Sequence, residues 1–311
     1  GAVGGGSAGG RCALGCPGPA RYRAARGIDL LASHDQRCAG GVQLWVRRDW
    51  LESLPVEALM SGAPPEAWGD PVDHDLHGRA AVHVLKTPRG EIVAKGFTRG
   101  GIIGSLFRNL YADPERPARE ARVAEELLER GVPTPPVVVA RACRGPLGLH
   151  RLDLATARVL GSRDLLDALR DPALAPQHLG WAAAAGRTLR RLHDEGLQHR
   201  DLQVKNLLVP AGPGPHDLLW VIDLDRCSLG PALDEEQRVA SLVRFGRSLV
   251  KRGVLPGDQG RLRPDQLRGI RAFLRAYGGG GRAGRLSTVR RRLRRTLAGR
   301  RWLWRRREPC A

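Results

Sequence analysis

Lysine is scarce in this chain of 311 residues: four lysines stand against 47 arginines. No run of about 18 apolar residues occurs, so no segment reads as a transmembrane helix. The six cysteines, Cys12, Cys16, Cys38, Cys143, Cys227 and Cys310, form no C-x-x-C pair, and the histidines do not cluster. That pattern argues against a metal-thiolate centre and makes reduced thiols in a cytoplasmic protein the expectation. No internal repeat is present. Basic residues outnumber acidic ones 51 to 32, for a net charge of +19, but the excess is uneven. From Lys251 to the end there are 19 basic and 3 acidic residues, so 16 of the 19 net charges fall in the last fifth. The body before it is close to neutral. No recognised nucleic-acid module accompanies the charge, so nucleic acid is not an expected partner.

What is present is concentrated between Leu192 and Val209. His199-Arg200-Asp201-Leu202 followed by Asn206 reproduces the H-R-D-L-x-x-x-N pattern of phosphotransferase catalytic loops. In that pattern the Asp accepts the proton of the attacking hydroxyl, and the Asn holds a magnesium ion that offsets charge on the phosphates. Trp181, Ala184, Ala185, Thr188, Leu189 and Leu192 fall at helical spacing with Gly196 as a stop, so a helix of about four turns feeds the loop. Residues 206–209 and 218–222 then read as short strands around a Pro/Gly-rich turn. Such a hairpin returns Asp223 to the side of Asn206 as a second magnesium ligand. Asp223-Leu224-Asp225 stands where protein kinases carry Asp-Phe-Gly. Asp201 is the leading catalytic candidate. Arg200, as a brace for the loop, and Gln203, as an acceptor contact, are further ones, and His199 reads as packed scaffold.

Upstream, residues 77–86 and 91–97 look like two strands around Thr87-Pro88-Arg89-Gly90. Lys95, near the end of the second, is placed to reach the α- and β-phosphates of a nucleotide. A helix over residues 117–130 follows, announced by Pro114 and Pro117 and closed by Gly131 with Pro133 beyond. Glu120 shares its apolar face with Val123, Ala124, Leu127 and Leu128. A carboxylate there needs a partner, and Lys95 is the obvious one. No full G-x-G-x-x-G loop precedes Lys95; Gly78-Arg79-Ala80-Ala81 offers a shortened phosphate-binding turn in its place. Lys95, Glu120, Gly78, Arg79 and Lys205 are the nucleotide-binding candidates, and ATP with Mg2+ the expected cofactors.

Taken together, Gly78–Val82, Ala94–Gly101, the Arg119-Glu120 helix ending in Gly131-Val132-Pro133-Thr134-Pro135, Asp153–Val159, the catalytic loop and Ile222-Asp223-Leu224-Asp225-Arg226 resemble the lipopolysaccharide-kinase family. That family includes kinases of 3-deoxy-D-manno-octulosonic acid (Kdo) and of inner-core heptose. The resemblance spans about residues 72–278, with Arg99-Gly100-Gly101 and the Ile-Asp-x-Asp turn closer to the Kdo kinases. Lys95 stands where these relatives often carry Arg, and His-Arg-Asp replaces their more usual His-Ala-Asp. Both departures move toward the general protein-kinase pattern.

The resemblance implies an α+β, bilobal protein-kinase-like fold: a small antiparallel-sheet lobe with one main helix (about residues 72–156), a hinge near residues 157–161, and a mainly helical large lobe (about 157–278). Residues 1–71 read as a Gly-rich, partly disordered extension, and 279–311 as a basic tail in which Leu286, Val289, Leu293 and Leu297 form an apolar stripe before Arg301-Trp302-Leu303-Trp304. Such a tail suits an anionic membrane surface, where a lipid-A-linked sugar acceptor would be met on the cytoplasmic face of the inner membrane. A first residue other than Met suggests a fragment. Alternatives to a Kdo kinase are a heptose kinase, a protein Ser/Thr/Tyr kinase, an aminoglycoside- or choline-type kinase, and an inactive kinase-like membrane scaffold. Against the protein kinase stands the absence of an Ala-Pro-Glu signal after Asp223.

Overall fold

Gly40 and Gly41 hold φ angles of 57° and 79°, the left-handed pair that a two-residue hairpin turn requires. They join β1 (His34–Ala39) to β2 (Val42–Arg47), with Ala39 opposite Val42. In this computed structural model the described residues are 30–73, 82–98, 109–211, 217–256, 261–278 and 291–292. They form two units: one runs to Glu126 and resumes over Pro136–Arg158, and the other takes Leu127–Pro135 and the described chain from Val159 onward.

The first unit is a seven-stranded antiparallel sheet. After β2 come the short helix α1 (Val56–Met60), β3 (Asp70–Pro71), β4 (Val82–Thr87), β5 (Gly90–Gly96), the helix α2 (Arg116–Glu129), β6 (Val137–Arg144) and β7 (His150–Ala157), in the spatial order β1-β2-β6-β7-β5-β4-β3. Its core joins Leu44, Val46, Trp50, Leu59, Trp68, Ile92 and Val139.

Here the expected extension over residues 1–71 needs correction, because from His34 to Pro71 it belongs to the sheet. β1–β2 completes one side by pairing with β6, and β3 closes the other against β4, so the segment occupies both places where an edge strand would otherwise stand open. Trp50, Leu54, Leu59 and Trp68 are buried as well. The expected reduced thiols are corrected at one position: Cys38 is disulfide-bonded, while Cys143 and Cys227 keep their thiols.

The second unit is mainly helical: β8 (Arg163–Asp164), α3 (Leu165–Arg170), α4 (His178–Asp194), β9 (Leu197–Gln198), β10 (Leu207–Val209), β11 (Trp220–Val221), β12 (Ser228–Leu229), α5 (Glu235–Lys251) and α6 (Pro264–Tyr277). α4 lies so close to α6 that a Cβ on Gly186 would sit 2.3 Å from the carbonyl oxygen of Phe273. Buried His193 ties three helices: its Nδ1 is 2.6 Å from the Tyr277 hydroxyl and its Nε2 2.8 Å from Ser241 Oγ. The architecture is the α+β class expected, an antiparallel-sheet unit and a mainly helical one. Among the described residues no helix is long and apolar enough to cross a membrane.

Candidate active site

In the second unit two small ladders frame the loop. α4 buries Trp181, Ala184, Ala185, Thr188, Leu189 and Leu192 and stops at Gly196, whose φ is 76°. No other residue fits there, because a Cβ would come within 2.0 Å of the Gly230 carbonyl oxygen. β9 then pairs with β12 (Gln198 opposite Ser228), and beyond the loop β10 pairs with β11 (Leu207 opposite Val221). Residues 199–206 and 222–227 are therefore each anchored at both ends. β11 is held from its other side within the same unit: Pro133 accepts from the Val221 N–H at 2.9 Å, and Thr134 Oγ1 donates to the Val221 carbonyl at 2.8 Å.

Asn206 is buried, and its Nδ2 donates to the main-chain carbonyl of Asp201 at 2.9 Å. The oxygen of the same amide is turned away from that bond. The Ile222 N–H donates to the Asn206 carbonyl at 3.0 Å, which puts Asp223 two residues past the end of the β10–β11 ladder. Asp223 adopts φ 63°, a left-handed conformation that Asp tolerates better than most side chains. Asp201 lies exposed, with its Oδ1 accepting from Gln203 Nε2 at 2.6 Å. Arg200 is exposed, and Lys205 is half-buried beside Asn206.

His199 is buried beneath the loop, its Nε2 3.5 Å from the Ile222 carbonyl. Burial pushes its pKa below the usual imidazole value, against the raising effect of Asp223, so the ring stays neutral at pH 7. The loop is braced from below by α5: Arg244 donates to the His199 carbonyl at 3.2 Å, and Ser248 Oγ accepts from the Val204 N–H at 2.9 Å. Arg200 makes no such bracing bond among the described residues, whereas Arg244 does. Nothing in the loop motif signals Arg244 or Ser248, which lie over forty residues downstream inside an ordinary amphipathic helix.

In the first unit, Lys95 Nζ lies 3.8 Å from Glu120 Oε1, with Glu120 buried on α2 and Lys95 partly exposed on β5. A second buried carboxylate on α2, Glu125, pairs with Arg47 of β2. Deeper still, Arg141 and Asp153 face each other on β6 and β7, both fully buried and 2.7 Å apart. Arg141 also donates to the Leu59 and Ala63 carbonyls and stacks 4.6 Å from the Trp68 ring. This pair went unread in the sequence, although an Arg and an Asp inside two apolar runs were the signal, since a lone buried charge is untenable. Gly78, Arg79 and Gly100-Gly101 lie outside the described residues, as does the basic tail apart from Arg291 and Arg292.

The Asn206 amide oxygen and the Asp223 carboxylate are hard oxygen donors, a set that suits magnesium, which keeps water and phosphate oxygens as its remaining ligands. Among the described residues no cluster of three or more His, Cys, Asp or Glu could hold a metal by itself.

Comparison with known proteins agrees with the resemblance read from the sequence. A model of the lipopolysaccharide kinase (Kdo/WaaP) family matches residues 67–277. The 3-deoxy-D-manno-octulosonic acid kinase of Photobacterium profundum is 32% identical over 221 residues, covering 70% of this chain and 89% of that protein. Its namesake in Xanthomonas oryzae pv. oryzae is 35% identical over 225 residues, covering 70% and 84%. Among solved structures, WaaP in complex with acyl carrier protein aligns at a TM-score of 0.47 and 22% identity, over 78% of this chain and 96% of that one. A glucosamine kinase in complex with glucosamine, ADP and inorganic phosphate aligns at a TM-score of 0.43 and 16% identity, over 86% of each chain.

Proposed function

This chain belongs to the lipopolysaccharide kinase (Kdo/WaaP) family, and from that premise we propose that it transfers the γ-phosphoryl group of ATP to a hydroxyl of Kdo carried on lipid A. The observation that carries the reading is the Asn206–Asp201 hydrogen bond, which closes a catalytic loop in a chain whose 32% and 35% identical relatives bear the Kdo kinase name. In this reading Asp201 accepts the proton of the attacking sugar hydroxyl. Gln203 is a positioning residue: its amide holds Asp201 Oδ1 and leaves Oδ2 for the hydroxyl. Neutral His199 supports the loop and takes no part in proton transfer.

Asn206 and Asp223 would hold magnesium, which supplies positive charge against the transferring phosphoryl group. Lys95 grips the nucleotide phosphates and Glu120 keeps its ammonium in place, while Lys205 adds positive charge next to Asn206. Gly78 and Arg79 remain candidates for the phosphate-covering turn. The catalytic domain in this reading begins near His34 rather than residue 72, because its sheet is incomplete without β1, β2 and β3.

The acceptor is borne by a lipid, and α6 carries a surface suited to that. Arg268, Arg271 and Arg275, spaced three and four residues apart, are all exposed and share the face turned away from buried Tyr277. The sequence beyond α6 continues into the basic tail. Docking of both on anionic lipid would raise the local concentration of acceptor, each charge contributing about 1 kcal/mol. Mass analysis of lipopolysaccharide from cells with and without the gene tests the function: loss of one phosphate from the Kdo region is expected, and an unchanged mass overturns it.

A further inference from the structure

The β9–β12 ladder sets Gln198 opposite Ser228. Two residues beyond it each strand carries an exposed arginine, Arg200 on one and Arg226 on the other. Arg200 directly precedes Asp201, and Arg226 lies in the turn that begins at Asp223. Among the described residues neither side chain is committed to the fold. Arg200 has no hydrogen-bond or ion-pair partner among the described residues, and Arg226 makes a loose 3.9 Å contact with Asp225. Arg226 also holds φ 58°, a left-handed conformation that costs an ordinary L-residue about 1–2 kcal/mol. Strain of this kind persists where the surroundings impose it and gathers at ligand sites. The ladder thus brings two exposed positive charges out at one end, one of them adjoining Asp201 in sequence.

We propose that Arg200 and Arg226 bind an anionic group of the acceptor, a carboxylate or a phosphate, beside the hydroxyl that Asp201 deprotonates. This assignment rests on the acceptor reading above. The proposed acceptor sugar is itself an acid, so its carboxylate lies within the same small molecule as the reacting hydroxyl; a phosphate on the lipid anchor is the other source. Guanidinium presents paired donors that match either group, which ammonium does not. The arrangement also separates two tasks. Asp201 and Asp223 would repel an anionic acceptor, and the arginines offset that repulsion at the edge of the loop without occupying the position of the reacting phosphate.

Steady-state kinetics with three acceptors test the assignment: Kdo-lipid A, its carboxylate methyl ester, and the form stripped of lipid phosphates. Arg200→Gln and Arg226→Gln should each raise KM for Kdo-lipid A by about ten- to a hundredfold, the scale of a lost charge-assisted hydrogen bond. The accompanying fall in kcat should be much smaller, with KM for ATP unchanged. Arg200→Lys should recover part of the loss. If the carboxylate is the anion, the Gln variants lose nothing further on the ester; if the phosphate is, they lose nothing further on the stripped form. Equal losses on all three acceptors, or no loss on any, overturn the assignment. Turnover by the unaltered protein without an arginine effect defeats this inference alone, whereas no turnover of any acceptor defeats the acceptor reading and this inference with it.

Discussion

The side-chain amide of Asn206 donates to the main-chain carbonyl of Asp201 at 2.9 Å. Five residues apart in sequence, the two close a loop in which the amide nitrogen is used internally and the amide oxygen is the proposed cation ligand. Replacing Asn206 by Ala removes both the closure and the oxygen. Turnover should fall by about a hundredfold or more, and loss of a buried hydrogen-bonding amide should cost about 1–3 kcal/mol of stability. Single-turnover kinetics and urea unfolding of the same variant check the two effects; unchanged turnover would remove Asn206 from the site.

Lys95 and Glu120 should act as one unit. Glu120→Gln leaves Lys95 without its carboxylate and should raise KM for ATP, and Lys95→Met should do so more strongly. The double variant should lose far less than the two single losses combined, because the second change removes a group already displaced. Additive losses in the cycle would show that the 3.8 Å contact carries no function.

Arg141 and Asp153 are a structural pair, and the expected effect is on stability rather than chemistry. Asp153→Ala leaves a guanidinium buried without its counter-charge and should destabilise the protein by about 3–5 kcal/mol. Changing both to apolar residues of similar volume should cost less than Asp153→Ala alone. The test is equilibrium denaturation, and a loss below about 1 kcal/mol for Asp153→Ala would contradict the buried pairing.

Stability should also depend on pH through His34. Burial lowers its pKa from 6.5 to about 4, with Nε2 3.0 Å from the Val137 carbonyl and Nδ1 2.9 Å from Ser33 Oγ. Between these two values the unfolded chain binds more protons than the folded one, so stability rises with pH through that window. The contribution is fully present above pH 6.5 and lost as pH falls toward 4, in all roughly 3 kcal/mol at about 1.4 kcal/mol per unit. Urea midpoints measured from pH 7.5 to 4.5 should show this slope, flattened in His34→Gln; an equal slope in the variant would place its origin elsewhere.

The helix before the loop, the hairpin that returns Asp223 and the helix bearing Glu120 were all legible in the sequence, because each depends on local spacing and on Gly or Pro stops. What escaped depends on distance along the chain. The β1–β2 hairpin was hidden because its turn, Gly40-Gly41, reads as the end of a Gly-rich leader, although Val42, Leu44 and Val46 alternate as a half-buried strand should. Arg244 and Ser248 brace the loop from a helix whose polar residues look like any solvated face. Arg141 and Asp153 announced their burial by their apolar neighbours, but only the β6–β7 register makes them partners. Arg200 reads as a brace from its motif, and its exposure is what motivates the acceptor role proposed for it.

The most direct test of the account is phosphoryl transfer from ATP to Kdo-lipid A by the purified protein and by its Asp201→Asn form, with product mass as the readout. The unaltered protein should add one phosphate to the Kdo residue, and Asp201→Asn, which keeps the shape and removes the proton acceptor, should slow that transfer by about a hundredfold or more while leaving the unfolding midpoint unchanged. Near-normal transfer by Asp201→Asn, or none by the unaltered protein, would contradict it.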